Sequence, residues 1–211
     1  MDSGLAKILR HFTAWKIKLN SGKTETILFS KSSKMKKIQQ LNRISVDEYK
    51  LYWKYSVKYL GVTLGEKLTF KANIAENNLK ARKAMASVYC LLKKTSPLSL
   101  TCKLTLYRSY IRPIMTYACP VFSNCADCHM QRLQVLQNKC LRMAKNAPFW
   151  TRISYLHHKS GIPTIKSFVG KLTETFYNNS AKSTNKLVSK LGDYSRPPGL
   201  PRPKHRLPRP T

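Results

Sequence analysis

Acidic side chains are scarce in this sequence. Nine Asp and Glu stand against 39 Lys and Arg in 211 residues, a formal net charge of +30. Such a chain repels itself until a polyanion neutralises it, which points to nucleic acid ahead of an anionic membrane or a ribosomal setting. Acidic pairs are scarcer still. Asp47-Glu48 is the one adjacent pair, so no Asp-Asp step is present to hold two Mg2+ ions for phosphoryl transfer.

Other absences narrow the class further. No apolar run approaches the roughly 20 residues of a membrane span. Met1-Asp2-Ser3-Gly4 lacks the basic and apolar regions of a secretory signal. Six cysteines (90, 102, 119, 125, 128 and 140) are too few for a disulfide scaffold. The expectation is a nuclear or cytoplasmic protein, not secreted, with reduced thiols that are mostly core residues.

Motifs that suggest enzymes fail on inspection. Gly22-Lys23-Thr24 matches the close of a P-loop, but the pattern's first glycine falls on Ile17. Cys125-Ala-Asp-Cys128-His129 fits half a zinc site, with only the adjacent pair His157-His158 as a second cluster. No metal site is expected, and two cysteines at a helix start is the better reading.

What is present is patterning. Leu5, Ile8, Leu9, Phe12 and Trp15 form a helical stripe over Asp2–Trp15. Alternation over Lys16–Asn20, a turn at Asn20-Ser21-Gly22 and Thr24–Phe29 predict a β-hairpin. The lysine-rich Ser30–Gln40 reads as a mobile loop. Ile44–Trp53 resumes strand composition and leads into Val57–Leu64, a short strand in which Gly61 lets the backbone bend or approach another chain closely. Gly65-Glu66-Lys67 is a turn, and Thr69 is the expected N-cap of a helix over Phe70–Lys94. Its stripe is Ile74, Ala81, Met85, Val88 and Leu92.

A second helix is expected over Ser99–Tyr110, with Leu100, Leu104 and Tyr107 inward and Pro113 kinking or restarting the chain. Residues 114–122 should be buried. A third helix, from about Asp127 to Asn146, carries Met130, Leu133, Leu136, Cys140, Met143 and Ala147 inward. Shorter helices follow near Arg152–Lys159 and Pro163–Asn178. From Ser195 the chain holds six prolines and five basic residues, a disordered basic arm. Between Asn77 and Thr173 the only acid is Asp127, against sixteen Lys and Arg. A solvated helix intersperses Glu and Lys; a single-sign helical bundle suits phosphate tracking.

Four blocks resemble reverse transcriptases of non-LTR retrotransposons, jockey-like elements in particular. They are Trp15-Lys-Ile-Lys-Leu-Asn-Ser-Gly-Lys-Thr-Glu-Thr-Ile-Leu-Phe29, Val57-Lys-Tyr-Leu-Gly-Val-Thr-Leu64, Leu106-Tyr-Arg-Ser-Tyr-Ile-Arg-Pro-Ile-Met-Thr-Tyr117 and Leu133-Gln-Val-Leu-Gln-Asn-Lys-Cys-Leu-Arg142. With Ala147-Pro148 following, the likeness covers roughly residues 12–196. The Ala-Asp-Asp motif, the fingers and an endonuclease domain are missing.

The resemblance implies an α+β chain in three parts. Residues 1–67 are a β-rich palm end, 68–194 a helical thumb and C-terminal region, and 195–211 the basic Pro-rich tail. It implies Lys23 as a motif D general acid, acting only with a palm in place. It implies Tyr59, Leu60 and Gly61 as a primer grip, with Gly61 a close-approach residue more than a turn. Lys80, Arg82, Lys83, Arg108, Arg112, Lys139, Arg142 and Lys145 become nucleic-acid contacts. Of these, Lys139, Arg142 and Lys145 sit away from the Met130–Leu133–Met143 stripe on a helical wheel. The implied partners are RNA and RNA–DNA duplex and the missing fingers and palm, with no membrane. No cofactor is expected in this chain, Mg2+ belonging to the complete polymerase. The alternative is a stand-alone basic helical protein that binds nucleic acid without catalysis.

Overall fold

The computed structural model describes residues 2–30, 44–46 and 49–191. The expected loop over Ser30–Gln40, beyond Ser30, and the basic arm from Ser195 lie outside the described residues. The chain divides into two units, residues 1–68 and 69–211. The first is short strands and one helix, the second is helical, and the fold class is α+β.

In the first unit, helix α1 runs Asp2–Ala14, where the apolar spacing placed it. The predicted hairpin after it does not form. Residues 17–20 take no strand structure, and Ser21–Lys23 make a single 3-10 turn. Asn20 explains the difference. Its side-chain Oδ1 accepts the Lys23 N–H at 3.1 Å, and the Thr24 hydroxyl donates to its carbonyl at 2.8 Å. These local bonds compete with a hairpin ladder. Strand β1 (Thr26–Ile27) instead pairs in parallel with β4 (Trp53–Lys54). Between them, β2 (Ile44–Val46) and β3 (Tyr49–Leu51) pair antiparallel, Ile44 opposite Leu51.

The block at 57–64 is a hairpin, not one strand. β5 (Ser56–Tyr59) pairs antiparallel with β6 (Val62–Gly65), with Tyr59 opposite Val62. Leu60 (φ 46°) and Gly61 (φ 81°) form the two-residue turn. Positive φ at both central positions is the primed geometry that matches strand twist. Gly61 is therefore a turn residue, which corrects the reading of it as chiefly a close-approach glycine. Leu60 occupies a conformation that favours Asn or Gly, while 74% exposed. Leu60→Asn is expected to stabilise the hairpin by about 1 kcal/mol by relieving left-handed strain. A higher urea midpoint for the near-ultraviolet signal of the first unit checks this.

In the second unit, helix α2 (Lys71–Ser87) begins one residue later than expected. Phe70 (φ 55°) is its cap residue and makes no side-chain cap bond. Thr69 is too early to reach the first free N–H groups of a helix starting at Lys71. Phe70 packs against the core instead. The predicted helix to Lys94 is broken at Val88, where α2 gives way to α3 (Tyr89–Leu92). The Ser87 hydroxyl donates back to the Ala84 carbonyl at 2.8 Å, a bond that bends helices. Buried Lys103 closes the end of α3, its Nζ donating to the Lys93 carbonyl at 2.8 Å.

Helix α4 (Leu100–Leu106), capped by the Ser99 hydroxyl, continues past the predicted end at Tyr110. It runs into a π turn at Tyr107–Ile111 and then α5 (Arg112–Met115). The Arg112 N–H reaches Tyr107, one residue farther than in an α-helix. Pro113, which has no N–H, is thus passed without ending the helix. Leu100, expected inward, is exposed. The short α6 (Cys119–Phe122) follows, with Cys119 and Phe122 buried.

Helix α7 (Asp127–Lys145) ends at a left-handed Asn146. Helices α8 (Ile153–Ser160) and α9 (Ile165–Ala181) lie close to the predicted spans, and α10 (Lys186–Ser189) is additional. The core forms where α2, α4, α5, α6, α7 and α9 meet. Ile74, Leu92, Tyr107, Ile111, Met115, Phe122, Leu133, Leu141 and Ile165 are its most buried side chains. The thiols are not mostly in it. Cys119 and Cys140 are buried, Cys125 is half-buried, and Cys90, Cys102 and Cys128 are exposed. Burial pushes the Cys119 thiol up to about 11 and the Cys140 thiol up to about 12, which keeps both neutral and unreactive.

Candidate nucleic-acid interface

The α2–α7 contact sets the geometry of the basic surface. The Asn78 amide donates from Nδ2 to the Arg132 carbonyl at 2.8 Å, and its Oδ1 accepts the Arg82 Nε–H at 2.7 Å. One buried amide thus joins the two helices and fixes a guanidinium beside them. Ala75, Asn78, Leu79 and Arg82 of α2, with Arg132 and Val135 of α7, line a shallow open groove of about 470 Å3. Arg82, Arg132, Leu79 and Val135 are exposed along it. Lys139 follows Arg132 and Val135 on α7 at i, i+3 and i+7, on the same outer face. Arg132 was not among the residues expected to contact nucleic acid. Its signal was its spacing from Lys139.

The other expected contacts divide. Lys83 and Arg108 are exposed, with Arg108 Nη2 3.4 Å from the Ser160 carbonyl. Lys80 is exposed and paired with Glu76 at 2.9 Å across one helical turn. Arg112 is half-buried. It lies over the Phe168 ring, 3.9 Å from its centroid, and burial lowers its pKa. Arg142 is half-buried, donating from Nη2 to the Thr151 carbonyl at 3.4 Å, and its Nε is buried without a partner. Lys145 is half-buried 5.8 Å from the Tyr155 ring centroid, its pKa lowered by burial and then by Lys159. The helical wheel put Arg142 and Lys145 outward; the segment after α7 folds back over them.

The motif Leu133–Arg142 has a structural share. Gln134 donates from Nε2 to Gln137 Oε1 and Asn138 Oδ1, both at 2.8 Å, and accepts the Ile165 N–H at 2.9 Å. Gln137, fully buried, donates to the Pro163 carbonyl at 2.9 Å. His157 Nδ1 lies 2.7 Å from the Ile162 carbonyl, which can only accept, so Nδ1 carries the proton. Its Nε2 faces Asn138 and Gln134 at 3.2 Å. The network pins the α8–α9 loop to α7. Tyr107 is buried beneath it, and burial raises its phenol well above the ordinary value.

In the first unit, Lys23 is exposed at the end of its 3-10 turn. The hairpin tip brings Tyr59, Leu60 and Gly61 together, with Tyr59 and Leu60 exposed. Among the described residues no three His, Cys, Asp or Glu side chains cluster as a metal site would require. Cys128 Sγ and His129 Nδ1 are 3.6 Å apart. No helix of the described residues is long and apolar enough to cross a membrane.

The chain is similar to a probable RNA-directed DNA polymerase from transposon X-element of Drosophila melanogaster, 29% identical over 184 residues. That alignment covers 87% of this chain and 20% of the relative. It is also similar to the RNA-directed DNA polymerase from mobile element jockey of Drosophila melanogaster, 27% identical over 194 residues, 90% of this chain and 21% of the relative. The jockey polymerase of Drosophila funebris is 26% identical over 178 residues, 84% and 19% of the two chains. The chain spans about a fifth of the length of these relatives. No family model and no solved structure matches it.

Proposed function

From a chain related to the RNA-directed DNA polymerases of jockey-like mobile elements, we propose the part of a reverse transcriptase that holds template–primer duplex by its phosphates. The 211 residues do not polymerise by themselves. The observation that carries this reading is the groove in which Arg82 and Arg132 flank Leu79 and Val135. Guanidiniums bind phosphate oxygens in pairs, and small apolar side chains tolerate the sugar between them. Asn78 has both amide atoms engaged within the protein, so the groove offers no free amide to a base edge. In this reading the two guanidiniums meet phosphates rather than guanine edges, and binding is without sequence preference. Lys83 and Lys139 extend the basic face.

In the same reading, Tyr59, Leu60 and Gly61 offer a primer grip at the hairpin tip. Lys23 serves as a general acid once a palm surrounds it. Trp15, Tyr52 and Tyr55 are each largely in solvent, and in this reading the rest of a palm and fingers covers them. The site of action is the nucleus or cytoplasm. Two-metal phosphoryl transfer needs paired carboxylates, and Asp47-Glu48 is the sole adjacent acidic pair in the sequence.

The test is a labelled RNA–DNA primer–template offered to the purified chain, followed by anisotropy and by gel. Saturable binding with no extension in Mg2+ or Mn2+ is expected. Nucleotide incorporation would overturn the claim that the chain is inert alone, and absence of binding at low salt would overturn the duplex reading.

A further inference from the structure

Phe149 and Trp150 are the most exposed aromatic side chains among the described residues, 82% and 71%. They are not on a frayed end. The Thr151 N–H donates to the Pro148 carbonyl at 3.1 Å, closing a four-residue turn with Phe149 and Trp150 at its two central positions. The turn is tied down on both sides. The Ala147 N–H bonds the Arg142 carbonyl at 3.0 Å, and Arg142 Nη2 holds the Thr151 carbonyl. The two rings meet edge to face, centroids 4.9 Å apart at 81°. Such a pair leaves ring faces open to solvent.

Helix α8 starts directly beyond this turn. Arg152, Tyr155 and Lys159 fall on one side of it at i, i+3 and i+7, all exposed, and Lys145 reaches over Tyr155. No acidic residue lies between Asp127 and Glu174. Aromatic faces on a rigid turn, followed by a row of cations, have a chemical complement. It is a polyanion whose units carry flat apolar faces.

We propose that this turn and helix are a stacking platform for single-stranded nucleic acid. Unpaired bases stack on Phe149 and Trp150, and the adjoining phosphates lie along Lys145, Arg152 and Lys159. Stacking is indifferent to base identity because every base has a π face. The turn is held in place before binding, so little side-chain freedom is lost when a base arrives. This surface is separate from the duplex groove of α2 and α7. An anionic membrane is the weaker occupant, because an interfacial anchor needs a continuous apolar helix face, and on α8 exposed Ile153 and Tyr155 are interspersed with exposed Arg152, Ser154, His158 and Lys159.

The experiment uses the full chain and its Phe149→Ala/Trp150→Ala variant. The probes are 12-nucleotide oligo-uridine and oligo-thymidine, a 12-base-pair RNA–DNA duplex, and phosphatidylserine vesicles. Single-strand affinity is expected to fall about tenfold or more, while duplex affinity stays within about twofold. The Phe149→Tyr/Trp150→Phe variant keeps aromatic faces and is expected to bind single strands within about threefold of the parent. Unchanged single-strand binding, an equal loss on duplex, or a loss confined to vesicles would each overturn the platform. So would a parent chain that is dimeric and becomes monomeric in the variant with no change in oligonucleotide affinity. Duplex binding that persists in any of these cases leaves the duplex reading standing, so the two fail separately.

Discussion

Alanine at Arg82, Arg132 and Lys139 together is expected to flatten the salt dependence of duplex binding. Each lost phosphate contact removes about 0.9 from the slope of log affinity against log salt. Three contacts therefore remove about 2.7, and the affinity lost between 50 and 200 mM salt shrinks about 40-fold. The effect should be equal on unrelated sequences, because in this reading the guanidiniums meet phosphates rather than guanine edges. These three side chains lie on the solvent side of α2 and α7, so thermal stability should change by less than about 0.5 kcal/mol each. The cations read from the helical wheel alone, Lys139, Arg142 and Lys145, make a poorer test. Arg142→Ala also releases the Thr151 carbonyl and loosens the turn after α7.

Gln137→Ala is expected to cost about 4 kcal/mol of stability, from two broken hydrogen bonds and a cavity at a fully buried site. The Pro163 carbonyl loses this donor, and the Gln134 amide keeps Asn138 but loses one of its acceptors. Thermal unfolding followed at 222 nm, with Lys139→Ala as the control two residues away, measures it. The midpoint should drop by about 10 °C for Gln137→Ala and hardly move for the control. The contrast divides one sequence motif into a share that builds the fold and a share that faces outward. A small effect at Gln137 would mean that the network does not hold the α8–α9 loop.

Much of the helical half was legible because its signal is local. Ile74, Ala81, Met85 and Leu92 repeat at helical spacing and are buried together. The same is true of Met130, Leu133, Leu136 and Cys140. What failed depended on partners distant in sequence or on competing local bonds. Thr24–Phe29 has strand composition, yet Asn20 captures the Lys23 N–H and Thr26–Ile27 turns to Trp53–Lys54 instead. Gln134, Gln137 and Asn138 carry no local sign of a network, which depends on Ile165, Pro163 and His157, some 20 to 30 residues on.

The same limit applied to the candidate site. A wheel places a side chain relative to its own helix and says nothing of what folds over it. Lys139 stayed outward, whereas Arg142 and Lys145 met Thr151 and Tyr155. Arg112, expected as a phosphate contact, is half-buried over the Phe168 ring, a placement that no wheel contains. Arg132 was legible in principle, since it shares the i, i+7 face of Lys139. Its pairing with Arg82 across a groove required the Asn78 bridge, which no spacing rule contains. The turn at Leu60-Gly61 shows a different limit. Leucine argues against a primed turn, and the glycine alone could not reveal one.

Duplex held by its phosphates is the central claim, and affinity against salt tests it most directly. With about six cations in contact, the groove arginines with Lys80, Lys83, Arg108 and Lys139, log affinity should fall linearly with log salt. The expected slope is near −5, a loss of about a thousandfold or more between 50 and 200 mM. A flat line over that range would contradict the account.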